Sequence, residues 1–361
     1  MSGRSTDIIF LLGAGASVEA GIPASATMID EIEELLRVDD GWAEFQDLYN
    51  HVKSAIHYSS GLKGDFGADV PFNVETLVNT LYELERNEEH PLYPFIAAWN
   101  SRFVSLANPD FSTVRRFRTK ILEALKKWMC PEDTAQGDYY HGFRTLQQDF
   151  NYPLHLFSLN YDLCVERIAD PEFRIESGFS GFGPNHIWDW ERFEQAEGSP
   201  PDLPQIYLYK LHGSINWKRD DGKNLFSVEQ TETVEPNKMD VIFGRDFKLE
   251  AADPYLFYAY QFRRFALEAR LIVTIGYSFA DEHINKMLSQ SIKREEQRKV
   301  LVISNCSDGD VQDKRNETAG ILECSEDRVE VVPGTAKSLL QEISLSETLL
   351  ELVPQPEDAG F

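Results

Sequence analysis

Cysteine is scarce in this chain. Its 361 residues hold four, at Cys130, Cys164, Cys306 and Cys324. No two stand in a Cys-x-x-Cys pair, so the spacing of a zinc site or a redox motif is missing. Scattered single thiols in a chain of this length fit a reducing compartment, which points to the cytoplasm. Long apolar runs are also missing. No stretch reaches the roughly 18 apolar residues that a membrane helix needs, and the short apolar run near the N-terminus lacks a signal-peptide cleavage pattern. The reading is a soluble, cytoplasmic protein with no membrane partner. Positive charge is the third shortage: Lys and Arg number 35 against 60 Asp and Glu, a net charge of −25. That excess repels phosphate backbones and disfavours direct nucleic-acid binding. It favours solubility and attraction to a basic partner.

What is present is ordinary globular material, 42% apolar and 26% charged, with length for about two domains of roughly 150 residues each. The run Ile8-Ile9-Phe10-Leu11-Leu12 reads as a buried strand, and Gly13-Ala14-Gly15 after it as a tight turn. One helical turn follows, stopped by Gly21 and Pro23. From about 25 to 150 the pattern is mostly helical. Residues 59–73 read as a loop and 72–85 as a helix. Val114, Phe117, Ile121, Leu125 and Trp128 mark an amphipathic helix capped by Ser112. Strand character returns at 154–158, 206–211, 271–275, 300–304 and 329–332, with helices expected at 253–269, 281–296, 310–322 and 335–343. Residues 178–204, with Phe182, Trp188 and Trp190, read as a long surface excursion. Strands alternating with helices predict an α/β fold, a Rossmann-like parallel sheet with an inserted, mostly helical subdomain.

Five polar signals fall at predicted strand ends, where open α/β sheets bind ligands. Gly13-Ala14-Gly15-Ala16-Ser17 would let a backbone approach a pyrophosphate, although Val18 stands where a dinucleotide fingerprint has its third glycine. Asn160-Tyr161-Asp162 offers an amide and a carboxylate. His212-Gly213 offers a general base. Gly276-Tyr277-Ser278, running on to Asp281, combines a glycine turn with a helix cap. Asn305 ends the next strand. Taken singly, each also has a plain structural account as a turn, a cap or a core histidine. Outside these, the basic residues near 112–129 (Arg115, Arg116, Arg118, Lys120, Lys126 and Lys127) read as a solvated helix face balancing an acidic protein. The aromatic stretch Tyr255 to Phe265 reads as core or an oligomer interface. Trp188 and Trp190 read as a packed loop or a lid.

In this order the five motifs resemble the sirtuin (silent information regulator) superfamily, over about residues 8–306. The resemblance implies an NAD-binding domain over 1–345, with the helical insertion at about 25–150 and a mobile acidic tail at 346–361. It implies NAD as substrate, cleaved at the nicotinamide–ribose bond. Gly13, Ala14, Gly15 and Ser17 would line the pyrophosphate and nearby ribose. Asn160 would hold the nicotinamide ribose and orient a water, Asp162 would contact the carboxamide, and His212 would be the general base. Gly276, Ser278 and Asn305 would face the adenosine half. Two departures count against protein deacylation. Only Cys306 and Cys324 follow His212, which excludes the four-cysteine zinc module of deacylases, and Ala24-Ser25-Ala26 follows Gly-Ile-Pro where deacylases carry an acidic residue, Phe and Arg. No metal is expected. The chain is similar to bacterial sirtuin-like NAD hydrolases of anti-phage defence. This similarity implies a homo-oligomer, or a HerA-type hexameric ATPase as partner. ADP-ribosyl transfer and a non-catalytic NAD or ADP-ribose sensor or scaffold remain as alternatives.

Overall fold

The computed structural model describes residues 5–62, 64, 72–86, 101–108, 110–180, 185–196, 204–220, 224–243 and 253–354. Phe182, most of the predicted loop at 59–73 and residues 355–361 of the predicted tail lie outside them.

Twelve strands are described: β1 Ile8–Leu12, β2 Leu154–Ser158, β3 Ile175–Glu176, β4 Phe179–Ser180, β5 Asn185–Trp188, β6 Ile206–Lys210, β7 Gly213–Arg219, β8 Leu225–Val228, β9 Met239–Val241, β10 Leu271–Ile275, β11 Lys299–Ser304 and β12 Val329–Pro333. Seven form one sheet in the order β12-β11-β10-β1-β2-β6-β3, with every pair parallel. Strands β1, β2, β6 and β10 are buried at every residue. This explains their continuous apolar runs, because a parallel sheet covered on both faces has no polar side to present. The α/β, Rossmann-like prediction describes this sheet. Order reverses at β1: the chain passes first to β2 and β6 on one side, then to β10, β11 and β12 on the other. Such a switch opens a crevice at the carboxyl ends of the strands.

The surface excursion expected at 178–204 is instead partly sheet. β4 and β5 join β8, β7 and β9 in a second, antiparallel sheet. Its strands are only two to seven residues long, too short for alternation to stand out in the sequence. The Trp188 indole donates to the Tyr258 hydroxyl at 3.0 Å, which makes this residue a packing element. Trp190 is exposed. Tyr255, Tyr258, Phe262 and Phe265 of the helix Tyr255–Glu268 are buried in the core.

The helical stretch Pro23–Trp128 is a compact unit of its own. Within it, Phe117 of the helix Ser112–Trp128 meets the rings of Trp42, Phe45 and Tyr49. The outer face of that helix pairs Arg115 and Arg118 with Glu85, and Arg116 with Glu44. The helices Thr134–His141 and Gly142–Phe150, expected inside the insertion, belong to the sheet-bearing unit. Phe143 sets its ring edge-on to Phe10 of β1 at 5.6 Å. The predicted mobile tail is corrected at its start: Leu345–Leu352 is a helix, because Leu345 and Leu349, four residues apart, are both buried.

One core histidine has a measurable consequence. His155 on β2 lies 4.0 Å from the Phe265 ring and stacks on Tyr207. Burial first, and the charge of Arg264 second, press its pKa down to about 3. The folded protein therefore keeps His155 neutral where the unfolded chain protonates it. Its contribution to stability is intact above about pH 6.5 and falls by about 1.4 kcal/mol per pH unit as pH drops towards 3. Urea melts of His155→Phe at pH 7, 6 and 5 are expected to show a shallower acid dependence than wild type; equal slopes would refute this assignment.

Candidate functional site

The parallel register aligns the strand ends. Leu12 pairs with Ser158 and Ile275, Ser158 with Lys210, and Ile275 with Ile303. The motifs that follow these residues therefore leave the sheet at one level, side by side.

The first turn is built on backbone contact. Gly13 N–H donates to the Ile275 carbonyl, Gly15 N–H to the Gly276 carbonyl, and Ala16 N–H to the Gly13 carbonyl. A Cβ on Gly13 would lie 2.6 Å from the Gly276 oxygen, and one on Gly276 would lie 2.2 Å from the Ala16 nitrogen. Gly276 also has φ +62°, a left-handed conformation. The glycines thus let the β1 and β10 turns touch, and the Gly13 and Gly15 amides close that contact. Ala14 is the exposed member of the turn.

Ser17 is the centre of the first polar network, although it is almost fully buried. Its hydroxyl donates to Asp162 Oδ2 at 2.7 Å and accepts from Asn160 Nδ2 at 3.1 Å. The Tyr140 hydroxyl lies 2.9 Å away. A serine hydroxyl has one proton, and the Asp162 carboxylate takes it, so Tyr140 is the donor in that pair. Asp162 Oδ1 accepts the Cys164 amide at 2.9 Å, an Asx turn that fixes the strand end. Burial, followed by the charge of Asp162, pushes the Tyr140 hydroxyl pKa well above its ordinary value and keeps it a donor. Tyr139 stacks on Tyr140 and donates to the Ala16 carbonyl at 2.6 Å.

Below this network lies Lys210, 2% exposed at the end of β6. Its ammonium donates to the Asp162 carbonyl, to Glu166 Oε1 at 3.0 Å and to Ser214 Oγ at 2.9 Å. Three acceptors satisfy its three protons. The lysine therefore ties the Asp162 loop to the His212 segment.

His212 is buried two residues beyond β6. Its Nε2 lies 3.0 Å from Oδ2 of Asp281. Asp281 caps the helix Glu282–Arg294, and its Oδ1 accepts the amides of His283 and Ile284. Burial raises the Asp281 carboxyl, but the hydrogen bond and charge of His212, together with those amides, outweigh it and hold the pKa below its ordinary value.

Ser17, Asn160 and Asp162 are thus joined in one network, and His212 follows on the neighbouring strand. Ser278 and Asn305 end β10 and β11 with exposed side chains and take part in neither network. Sequence reasoning missed Tyr140 and Lys210, and it read Asp281 only as a cap. Asp281 opening a helix was the legible half of its role; nothing local signals Tyr140, 123 residues away from Ser17. Among the described residues, no group of three or more His, Cys, Asp or Glu is placed to hold a metal ion. No described helix is long and apolar enough to cross a membrane.

Residues 154–323 match the family model of the SIR2-like domain. The matched stretch contains Asn160, Asp162, His212, Gly276, Ser278, Asp281 and Asn305. Among solved structures, a complex of a Sir2 homolog with NAD is similar at 13% identity, covering 96% of this chain and 90% of that one, with a TM-score of 0.43. An ADP-ribose complex of a Sir2 homologue variant is similar at 13% identity, with 96% and 93% covered and a TM-score of 0.43. No curated protein matches the chain.

The turn after β10 leaves no room for a side chain at Gly276. Gly276→Ala is expected to lower stability by more than about 2 kcal/mol, since the added carbon runs into the Gly15–Ala16 backbone at a left-handed position. Gly320→Ala is the control. It lies in the helix Val311–Leu322 with nothing within 4 Å of the added carbon, and is expected to raise stability by about 0.5–1 kcal/mol. Denaturant midpoints of the two variants check the pair.

Proposed function

We propose that this protein hydrolyses NAD at the nicotinamide–ribose bond, releasing ADP-ribose and nicotinamide, as an effector of anti-phage defence. A SIR2-like domain implies NAD-dependent enzyme chemistry in general. The observation that carries the finer reading is the pairing of two rigid polar groups on neighbouring strand ends. One is the Ser17-centred Asn160–Asp162 network; the other is His212 backed by Asp281. A binding module has no need of a buried histidine held by a carboxylate.

In this reading NAD lies across the carboxyl ends of β1, β2, β6, β10 and β11. Asn160 and Asp162 fix the nicotinamide ribose and the carboxamide. Orientation held by buried, hydrogen-bonded side chains costs little reorganisation during the reaction. The C–N bond breaks and its electron pair leaves with neutral nicotinamide. The ribose carbon, oxocarbenium-like, takes the oxygen of one water, and that water's proton passes to His212. Exposed Ser278 and Asn305 lie on the side where the adenosine half extends. Hydrolysis is favoured over deacylation by the Ala24-Ser25-Ala26 sequence after Gly-Ile-Pro and by the two cysteines, too few for a zinc module, that follow His212.

An unregulated NAD hydrolase would deplete its own cell, so control is part of the proposal. Self-assembly or a HerA-type hexameric ATPase would supply it, and native mass measurement after co-expression tests for the complex.

The deciding experiment is chromatography of NAD incubated with the purified protein, alone and with extract from phage-infected cells. Free ADP-ribose and nicotinamide are expected. Asn160→Ala and His212→Ala are each expected to lose at least about 100-fold in turnover while the fold survives, checked by circular dichroism. Full activity in both variants would overturn the assignment. ADP-ribose recovered on a macromolecule would replace hydrolysis by ADP-ribosyl transfer, and intact NAD under both conditions would favour a sensor or scaffold.

A further inference from the structure

Asp281 is held more tightly than a helix cap requires. Its Oδ1 takes two backbone amides, from His283 at 2.9 Å and Ile284 at 3.0 Å, leaving Oδ2 for His212 Nε2 at 3.0 Å. Its own carbonyl accepts the Asn285 amide at 2.9 Å and the Tyr277 hydroxyl at 3.2 Å. The same tyrosine hydroxyl lies 2.8 Å from Asn285 Oδ1, and Asn285 Nδ2 donates to the Phe279 carbonyl at 2.7 Å. Phe279 itself has φ +59°, rare for a bulky residue. The turn from Gly276 to Asp281 is therefore clamped from within by Tyr277 and Asn285, at the expense of backbone strain at Phe279. The result of that clamp is one carboxylate oxygen fixed against one ring nitrogen.

The chemistry of the pair determines the proton. An ionised carboxylate only accepts hydrogen bonds, so Nε2 of His212 carries the hydrogen. In the neutral ring Nδ1 then holds the lone pair. We propose that Asp281 is the positioning residue of this site, fixing His212 as the Nε2–H tautomer so that Nδ1 is the atom that takes the proton. What that proton comes from rests on the NAD-hydrolase reading; the tautomer does not.

The carboxylate also stabilises the imidazolium that forms when Nδ1 is protonated, by charge at hydrogen-bond distance. The low pKa of Asp281 agrees, since it keeps this partner charged. The other titratable groups around the pair are the Tyr161 ring, 6.4 Å from that of His212, and Tyr277, bonded to the Asp281 carbonyl. Beyond Gly213 lie Tyr255 and Asp240, the latter paired with Arg219 at 2.7 Å.

Asp281→Asn tests the proposal. Asparagine caps a helix as well as aspartate does, so the fold is retained. Its amide NH2 faces His212 and donates, which forces Nε2 to accept and moves the ring proton to Nδ1. The readout is the ring-nitrogen spectrum of the full-length protein labelled with 15N-histidine, with His212 assigned by its loss in His212→Gln. Wild type is expected as Nε2–H and Asp281→Asn as Nδ1–H. NAD turnover is expected to fall at least about 100-fold in kcat with little change in KM. Asp281→Ser, which also caps, is the second variant and is expected to give mixed tautomers.

A wild-type His212 in the Nδ1–H form, or a tautomer unchanged by both substitutions, overturns the proposal whatever the activity. A switched tautomer with undiminished turnover overturns the positioning role. Wild-type protein that leaves NAD intact while showing Nε2–H switched by Asp281→Asn supports the tautomer assignment and removes the hydrolase reading instead.

Discussion

The site depends on two stretches of backbone that touch. Gly13–Gly15 and Gly276 approach within a distance that excludes any Cβ, and their amides and carbonyls extend the β1–β10 ladder past the end of the sheet. From that contact the chain departs in two directions. One carries Ser17 down onto Asn160 and Asp162, and the other carries Asp281 round onto His212. A methyl group in the seam would strike the Gly276 carbonyl that accepts the Gly15 amide and so open the contact itself. The glycines that suggest phosphate binding in the sequence thus do a prior job, which is to let two turns share the space of one.

Above the seam, three side chains use their hydrogen-bonding capacity in full. Ser17 spends its one proton and both lone pairs, Lys210 spends three protons on three acceptors, and Asp281 spends both oxygens. Buried polar groups left short of partners are costly, and satisfied ones are rigid. Such bonding stiffens the strand ends, which suits chemistry that needs fixed orientation.

The parallel sheet was legible because its strands are buried on both faces and leave unbroken apolar runs, as at Ile8–Leu12 and Leu271–Ile275. The strand-end motifs were legible only by their joint order, because each alone is also what a turn, a cap or a core histidine would leave. The second sheet was not, because strands as short as Phe179–Ser180 carry no period. Tyr140 and Lys210 were not, since their partners are set by folding across 123 and 48 residues. The helix Leu345–Leu352 was hidden by its acidic neighbours, although two leucines four apart were enough to bury it.

Strand β6 belongs to the parallel sheet and β7 to the antiparallel one, and only Leu211 and His212 separate them. Gly213, with φ +85°, makes the corner, and a Cβ there would strike the Asp240 carbonyl. His212 is thus the last residue before the chain turns from one sheet into the other. Just past that corner, the Ser214 hydroxyl and the Ile215 amide of β7 both donate to the Tyr161 carbonyl, so the small sheet also grips the loop that carries Asn160 and Asp162. One two-residue corner therefore seats His212 on both sheets at once.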